Sequence, residues 1–392
     1  MPLAIYMLGL AVFAQGTSEF MLSGLVPDIA ADLHVSVPAA GALTSAFAAG
    51  MIVGAPLMAV LSLRWPRRRA LLVFLTVFLL VHVVGATTTS FGVLLAMRVL
   101  GAVANAGFLA VGLATAAAMA GPRATGRATS VLLGGVTLAC VVGVPAGAVL
   151  GQLWGWRSAF WAVAAVSVPA VVAILRSVPA TAPDAAAPGA RRELRALRRP
   201  RLQVTLLLAA LVNGATFCTF TYLAPVVTDV SGYGTRWVPV LLALFGLGAF
   251  AGVTAGGRLA DTRPMRLLVP GGLALLAGWL LFALTAGSAV VALPLVLVQG
   301  ALSFAVGSTL IAQVLRTAVE APSLGGSFAT AALNVGAAAG PLLGGAAIGA
   351  GLGYRSPLWV SALLVALAFA AAGAALAVRR AGGSAREEVP AS

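Results

Sequence analysis

The chain has 392 residues, 61% hydrophobic and only 9% charged, with a mean hydropathy of +1.05. A water-soluble domain carries about 25% charged residues, so a soluble enzyme or binding module is excluded and an integral membrane protein is indicated. The net charge of +14 rests on 24 basic residues, all of them arginine. Without lysine there is no Walker A phosphate loop and no Schiff-base chemistry, so energy must come from a gradient or a partner subunit, and no cofactor is expected. The arginines fall between apolar runs, where they set orientation and meet anionic headgroups of the bilayer rather than bind nucleic acid.

Apolar length predicts twelve helical spans at roughly 3–26, 38–61, 70–89, 92–119, 126–150, 158–177, 202–228, 237–260, 265–287, 289–314, 323–350 and 356–378. The fold class is therefore an all-α membrane protein. Span 1 holds a single charge, Glu19, and closes on Pro27-Asp28. The run from Glu19 to Pro27 covers about 12 Å, close to half of a ~30 Å hydrocarbon core. A carboxylate at that depth costs at least ~2.5 kcal/mol and by default marks an ion or substrate path. Counting by four, Gln15, Glu19, Ser23 and Pro27 form a polar stripe expected to face a wet cavity, with Leu3, Leu10, Phe13 and Phe20 turned elsewhere. The structural alternative is a protonated Glu hydrogen-bonded between helices. No signal peptide is evident, because residues 1–10 lack a basic segment.

Span 3 contains His82, either a proton relay or a hydrogen-bonded structural residue. Arg98 lies near the outer third of span 4, followed by Gly101, Asn105 and Gly112 on a small or polar face. Arginine keeps its charge in apolar surroundings, so placed near Glu19 it would favour the carboxylate; otherwise it would snorkel to the interface. Cys140 and Cys218 sit in separate apolar runs and read as packing residues. Span 5 carries Gly143, Pro145 and Gly147, which permit close helix approach and a local break in backbone bonding, as a hinge or simply as packing. Span 7 places Asn213, Phe217, Phe220, Thr221 and Tyr222 ahead of Pro225, a set suited either to an amphiphilic ring-containing ligand or to packing. Asn334 in span 11 is a further candidate cavity group, and Gly340 and Pro341 repeat the span 5 pattern.

Loops alternate sides, and those after the even-numbered spans, with the C-terminus, carry 20 arginines against 3 on the other side. That bias puts both termini in the cytoplasm. The linker 178–201 begins as a Pro/Ala segment, ends as a basic surface helix, and divides the chain into bundles 1–177 and 202–380, with a polar, disordered tail at 381–392. Pro145 and Pro341 are 196 apart, Arg157 and Arg355 are 198 apart, and Arg64 and Arg263 are 199 apart. A near-constant offset over matched elements indicates duplication.

The span 8–9 loop, GRLADTRPMR, resembles the loop signature of the major facilitator superfamily, with Asp261, Arg263 and Arg266 in place. The span 2–3 loop, AVLSLRWPRRR, keeps Arg64, Arg67 and Arg68 but has Leu63 and Pro66 where the signature has Asp and Gly. Arg98 with Gly101 is similar to the family's fourth-helix motif, and GVPAG in span 5 to the motif of its antiporters. With AQGTSEFMLSGLVPDIA in span 1, the resemblance covers essentially the whole chain. It narrows to the twelve-helix drug:proton antiporters, most similar to chloramphenicol efflux proteins.

The resemblance implies two pseudo-symmetric six-helix bundles rocking about a cavity lined by helices 1, 4, 7 and 10. It implies proton-coupled efflux of chloramphenicol or a related amphenicol across a bacterial plasma membrane, with Glu19 and Arg98 coupling the proton. Gln15, Asn105, Asn213, Phe217, Phe220 and Asn334 are the expected cavity groups. Arg64, Arg67, Arg68, Gly143, Pro145, Gly147, Asp261, Arg263, Gly340 and Pro341 are the expected gating set. Partners are then a small-molecule drug, protons and the lipid bilayer, and a monomer suffices. The alternative is a sugar or nucleoside exporter of the same fold.

Overall fold

The computed structural model describes residues 2–62, 65–121, 124–179, 194–260, 264–318 and 325–387. Arg64, Asp261 and Arg263 lie outside the described residues.

Among the described residues, twelve helices are long and apolar enough to cross a membrane. They are α1 (Leu3–Phe20), α2 (Val37–Ser62), α3 (Arg67–Thr87), α4 (Phe91–Ala120) and α5 (Thr125–Leu138, continued after a π turn by Val144–Trp154). Next come α6 (Arg157–Ser177), α7 (Pro200–Thr221), α8 (Val238–Ala260), α9 (Met265–Thr285) and α10 (Ala289–Thr317). The last two are α11 (Gly325–Ala347) and α12 (Ser356–Glu387). α12 thus carries helical backbone through 381–387, which the sequence assigns to a polar tail. The outer surface exposes Leu80, Leu100, Leu207, Leu284 and Leu363, as expected for helices solvated by lipid rather than water.

The helix pairings repeat. α1 packs on α5 and α6, α2 on α4, and α3 on α4 and α6; α7 packs on α11 and α12, α8 on α10, and α9 on α10 and α12. Glycines set the closest of these contacts. Gly50 and Gly54 meet the backbone of Val99 and Val103 on α4, while Gly248 and Gly252 meet Leu297 and Ala301 on α10. Small residues let backbones approach where no hydrophobic effect drives helices together.

The two sets of six meet through α2 against α11 and α5 against α8. These contacts lie toward the arginine-poor end, that of the 1–2, 5–6, 7–8 and 11–12 connections. There Tyr222, fully buried, wedges against Gly41, Gly344 and Gly345, and its hydroxyl donates to the Pro341 carbonyl at 2.9 Å. Gln152 donates to the Thr235 carbonyl at 2.7 Å across the same seam.

At the arginine-rich end the described part of the linker, a 3-10 turn Leu194–Arg198, docks on protein instead of lying free at a surface. Ala196 is buried among Leu202, Val314 and Phe328. Arg68 at the start of α3 donates to the Leu175 carbonyl near the end of α6, bracing two helices of the first six.

A second brace closes the arginine-poor end of the first six helices. Arg157 donates to Asp32 Oδ2 at 2.5 Å and to the Thr88 carbonyl at 2.9 Å, and Trp156 Nε1 donates to the same carboxylate at 3.1 Å. The Arg157 hydrogen bond holds the Asp32 carboxyl below its ordinary value. The stabilisation is therefore present above the unfolded value of ~3.9 and is lost as pH falls through the folded one. Both side chains are partly exposed, which limits it to about 1 kcal/mol. Asp32→Asn is expected to lower the melting temperature in detergent slightly at neutral pH, with the difference from the parent vanishing on acidification. A deficit that persists unchanged at low pH contradicts this origin.

Candidate functional site

The site begins where α1 stops. Pro27 has no N–H, and its ring opposes the Ser23 carbonyl, so the helix cannot continue through it. The chain tightens into a 3-10 turn at Met21–Gly24 before a short helix, Val26–Asp32, with Pro27 in its first turn. Carbonyls in the last turn of α1 are therefore open to outside donors.

Arg98 takes one of them. Its Nη1 donates to the Ser18 carbonyl and to Ser18 Oγ, both at 2.9 Å, and its guanidinium lies 4.4 Å from the centre of the Phe47 ring. The arginine does not snorkel; it is 2% exposed, and its Nε and Nη2 have no hydrogen-bond partner among the described residues. Glu19, the residue after Ser18 along α1, is partly accessible, and among the described residues no ion pair within 4.0 Å joins it to the guanidinium. Arg98 is thus held at the residue beside Glu19 and not in a contact pair with it.

His82 joins the same cluster. Its Nε2 is 2.6 Å from Ser18 Oγ and its Nδ1 is 2.6 Å from the Phe78 carbonyl. A carbonyl can only accept, so Nδ1 carries the proton and Nε2 accepts from Ser18.

The rest of the stripe on α1 is drier than expected. Gln15 is 1% exposed with neither amide atom partnered, and Ser23 is buried. Phe20, expected to turn elsewhere, instead packs on Phe217 with ring centres 5.7 Å apart. Phe20 ends α1 one helical step from Glu19, and from that position its ring reaches across to α7.

Phe20, Phe217, Phe220, Phe245 and Phe304, with Cys140 and Thr216, line a crevice between the two sets of helices. Phe220 stacks on Phe245 at 4.6 Å, and Phe245 meets Phe304 edge-on at 6.3 Å. The crevice is nearly all apolar and, as found, has room for about one water molecule, so a ring-containing ligand needs it widened. Phe20 follows Glu19 directly in the chain, which puts the carboxylate-bearing residue next to one wall of this crevice.

Other expected cavity groups are placed differently. Asn105 is buried and donates to Met51 Sδ at 3.7 Å across the α2–α4 contact. Asn213 donates to the Leu333 carbonyl at 2.7 Å, and Asn334 to the Thr330 carbonyl of its own helix at 2.9 Å. The structure therefore brings Phe217 and Phe220 to the crevice, engages Asn105 and Asn213 across helix contacts, and turns Asn334 back on its own helix.

The hinge residues have a physical basis. Ahead of Pro145, α5 widens into a π turn at Ala139–Gly143, where the Val144 N–H reaches back to the Ala139 carbonyl. A proline removes one bond and its ring needs space one turn back, and the wider turn supplies it. Gly143 lies directly on Thr17 of α1, Gly147 faces Met21, and Gly340 lies on the Gly214 carbonyl of α7, with Pro341 buried beside it.

Twelve spans in two sets of repeated pairings, meeting around buried charges and a crevice, define a membrane carrier, and the chain belongs to the major facilitator superfamily, whose model matches residues 8–331. It is a multi-pass transporter and not an enzyme. The relatives narrow this. The chain is 58% identical to a chloramphenicol resistance protein of Streptomyces lividans, over 94% of this chain and 95% of that one. It is 36% identical to an inner membrane transport protein of Escherichia coli, over 92% of each, and 32% identical to a chloramphenicol efflux pump of Mycobacterium tuberculosis, over 86% and 84%. The fold matches a bacterial homologue of the human lysosomal transporter Spinster, with a TM-score of 0.74 at 18% identity, over 94% and 95% of the two chains.

Proposed function

We propose that the chain exports chloramphenicol or a related amphenicol from the cytoplasm of a bacterium in exchange for protons, by alternating access. The observation that carries the reading is Glu19: among the chain's acidic residues it alone lies inside a predicted span, beside both a buried arginine and an aromatic crevice. The 58% identity to a chloramphenicol resistance protein supports the cargo.

The positive-inside rule puts the arginine-rich end and both termini in the cytoplasm. The seam at Tyr222 then closes the outer side, and the described arrangement is the cytoplasm-facing state. Drug entering from the cytoplasm parts the Phe20–Phe217 contact and seats its ring among Phe217, Phe220, Phe245 and Phe304. Chloramphenicol suits these walls because it is neutral and carries a nitrophenyl ring, whereas a dication would find one carboxylate at most. Drug binding and loss of the Glu19 proton are coupled. Outward-facing, Glu19 is protonated again, its charge beside Arg98 is neutralised, and the carrier returns.

The test is an efflux panel of amphenicols, sugars and nucleosides in a drug-sensitive host, with and without a protonophore. Protonophore-sensitive amphenicol export is expected. Unchanged amphenicol tolerance with sugar or nucleoside export would assign the cargo to metabolites, and protonophore-insensitive export would overturn proton coupling.

A further inference from the structure

We propose that Ser18 and His82 form a docking point for the Arg98 guanidinium, and that Arg98 exchanges between this point and the Glu19 carboxylate as Glu19 gains and loses its proton. The inference rests on the reading of Glu19 as the proton carrier.

The hydrogen bonds run in one direction. Arg98 donates to Ser18 Oγ, Ser18 donates to His82 Nε2, and His82 Nδ1 donates to the Phe78 carbonyl. Each donor leaves the next oxygen or nitrogen a better acceptor, so the chain is polarised toward holding the guanidinium. His82 fixes the Ser18 hydroxyl so that its lone pairs face Arg98. It moves no proton and is a positioning residue. A second proton on His82 would remove the acceptor and place a cation beside Arg98.

The docking is incomplete, which is what makes it exchangeable. Among the described residues, Nε and Nη2 of Arg98 are buried without hydrogen-bond partners, and Glu19, the residue after the Ser18 that Arg98 holds, makes no ion-pair contact with it. Buried guanidinium donors seek acceptors, and an ionised carboxylate is the strongest available here. A void lined by Phe47, Val81, His82, Met97, Arg98, Gly101 and Phe160 borders the guanidinium, with space for about one water molecule, so the side chain is not packed tight on every side. The ionisable groups around His82 are Arg98 on α4 and, one residue beyond Ser18, Glu19 on α1; α2 and α6 present Phe47 and Phe160.

Without the docking point Arg98 stays with Glu19, stabilises its charge, and makes it harder to protonate. Chloramphenicol-induced proton release from the purified full chain in detergent, followed with a pH indicator across pH, reads this directly. Ser18→Ala and His82→Leu are expected to shift the midpoint by about one pH unit toward acid, with chloramphenicol affinity kept. His82→Gln, whose amide oxygen can accept from Ser18, is expected to restore the parental midpoint. Parental midpoints in Ser18→Ala and His82→Leu overturn the proposal. So does a His82→Gln profile matching His82→Leu, because the acceptor would then not be what matters. Glu19→Gln separates the two readings. If it still releases protons, the proton-carrier reading fails; if it is silent while Ser18→Ala and His82→Leu match the parent, only the docking point fails.

Discussion

Glu19→Gln is expected to abolish uphill export while leaving drug binding and downhill passage in place. Glutamine keeps the size and hydrogen-bonding capacity of the protonated acid but cannot exchange a proton. The site loses its titratable carboxylate and keeps its shape beside Phe20. If a neutral drug leaves for each proton that enters, one net charge crosses per cycle, and the membrane potential contributes ~2.3 kcal/mol per 100 mV. That corresponds to roughly a 50-fold concentration ratio of drug, to which a pH gradient adds. In proteoliposomes loaded with the purified chain, the parent should hold such a ratio under an imposed potential, and the variant should run only to equality. The variant should also bring no protons across when drug is added. A Glu19→Gln chain that sustains the parental ratio would sink the coupling assignment, whatever its cargo.

Much of this site follows from the duplication, taken one residue at a time. Leu25 and Leu223, Pro27 and Pro225, Gly50 and Gly248, and Arg157 and Arg355 all stand 198 apart. At the same offset Ser18 corresponds to Thr216 and Glu19 to Phe217, so the position that holds the carboxylate in α1 holds a crevice ring in α7. Phe47, which faces Arg98, corresponds to Phe245, which stacks on Phe220. Arg98 and His82 have Val296 and Leu280 in their places. One scaffold thus carries ionisable groups in the first six helices and aromatic groups in the last six. Phe245 was within reach of this offset, although in its own helix nothing sets it apart from the apolar run.

The spans themselves were legible because hydrocarbon demands length and apolarity from every helix. What periodicity missed lies where it breaks. Phe20, the last residue before the 3-10 turn, reaches the crevice, and Gly143, in the π turn before Pro145, lies on Thr17. The amides Asn105, Asn213 and Asn334 look like cavity groups in a sequence, since polar side chains in a span must satisfy themselves somewhere. Asn105 and Asn213 find partners on neighbouring helices and Asn334 on its own, and no spacing rule distinguishes these fates from a cavity position. The Ser18–His82 contact joins residues 64 apart and is a product of packing alone.

Gly41→Ala is expected to prevent closure of the arginine-poor end and so to stop the cycle, although alanine is the better helix former by about 1 kcal/mol. The opposition of local and global effects makes this substitution informative. A Cβ at Gly41 of α2 would lie 2.6 Å from Tyr222 Cε1 and Cζ. The ring has nowhere to go: Tyr222 is fully buried, its hydroxyl is held by the Pro341 carbonyl, and a Cβ at Gly345 on its other side would lie only 2.5 Å from that hydroxyl. Overpacking a filled contact costs about 1–3 kcal/mol, and here the cost falls only on the state in which α2 meets the α7–α11 pair. Converted, the equilibrium shifts roughly 5- to 150-fold toward the state open at that end. Spin labels at Ser36 and Ala350, exposed on opposite sides of the seam, report it in a background without Cys140 and Cys218. Their distance distribution should move from short to long in Gly41→Ala, with export falling in parallel. Tyr222→Phe keeps the wedge and loses only the hydrogen bond, worth about 0.5–1.5 kcal/mol, so its shift should be in the same direction and no more than about tenfold. An unchanged distribution with full export in Gly41→Ala would show that the Tyr222 contact is not the closure.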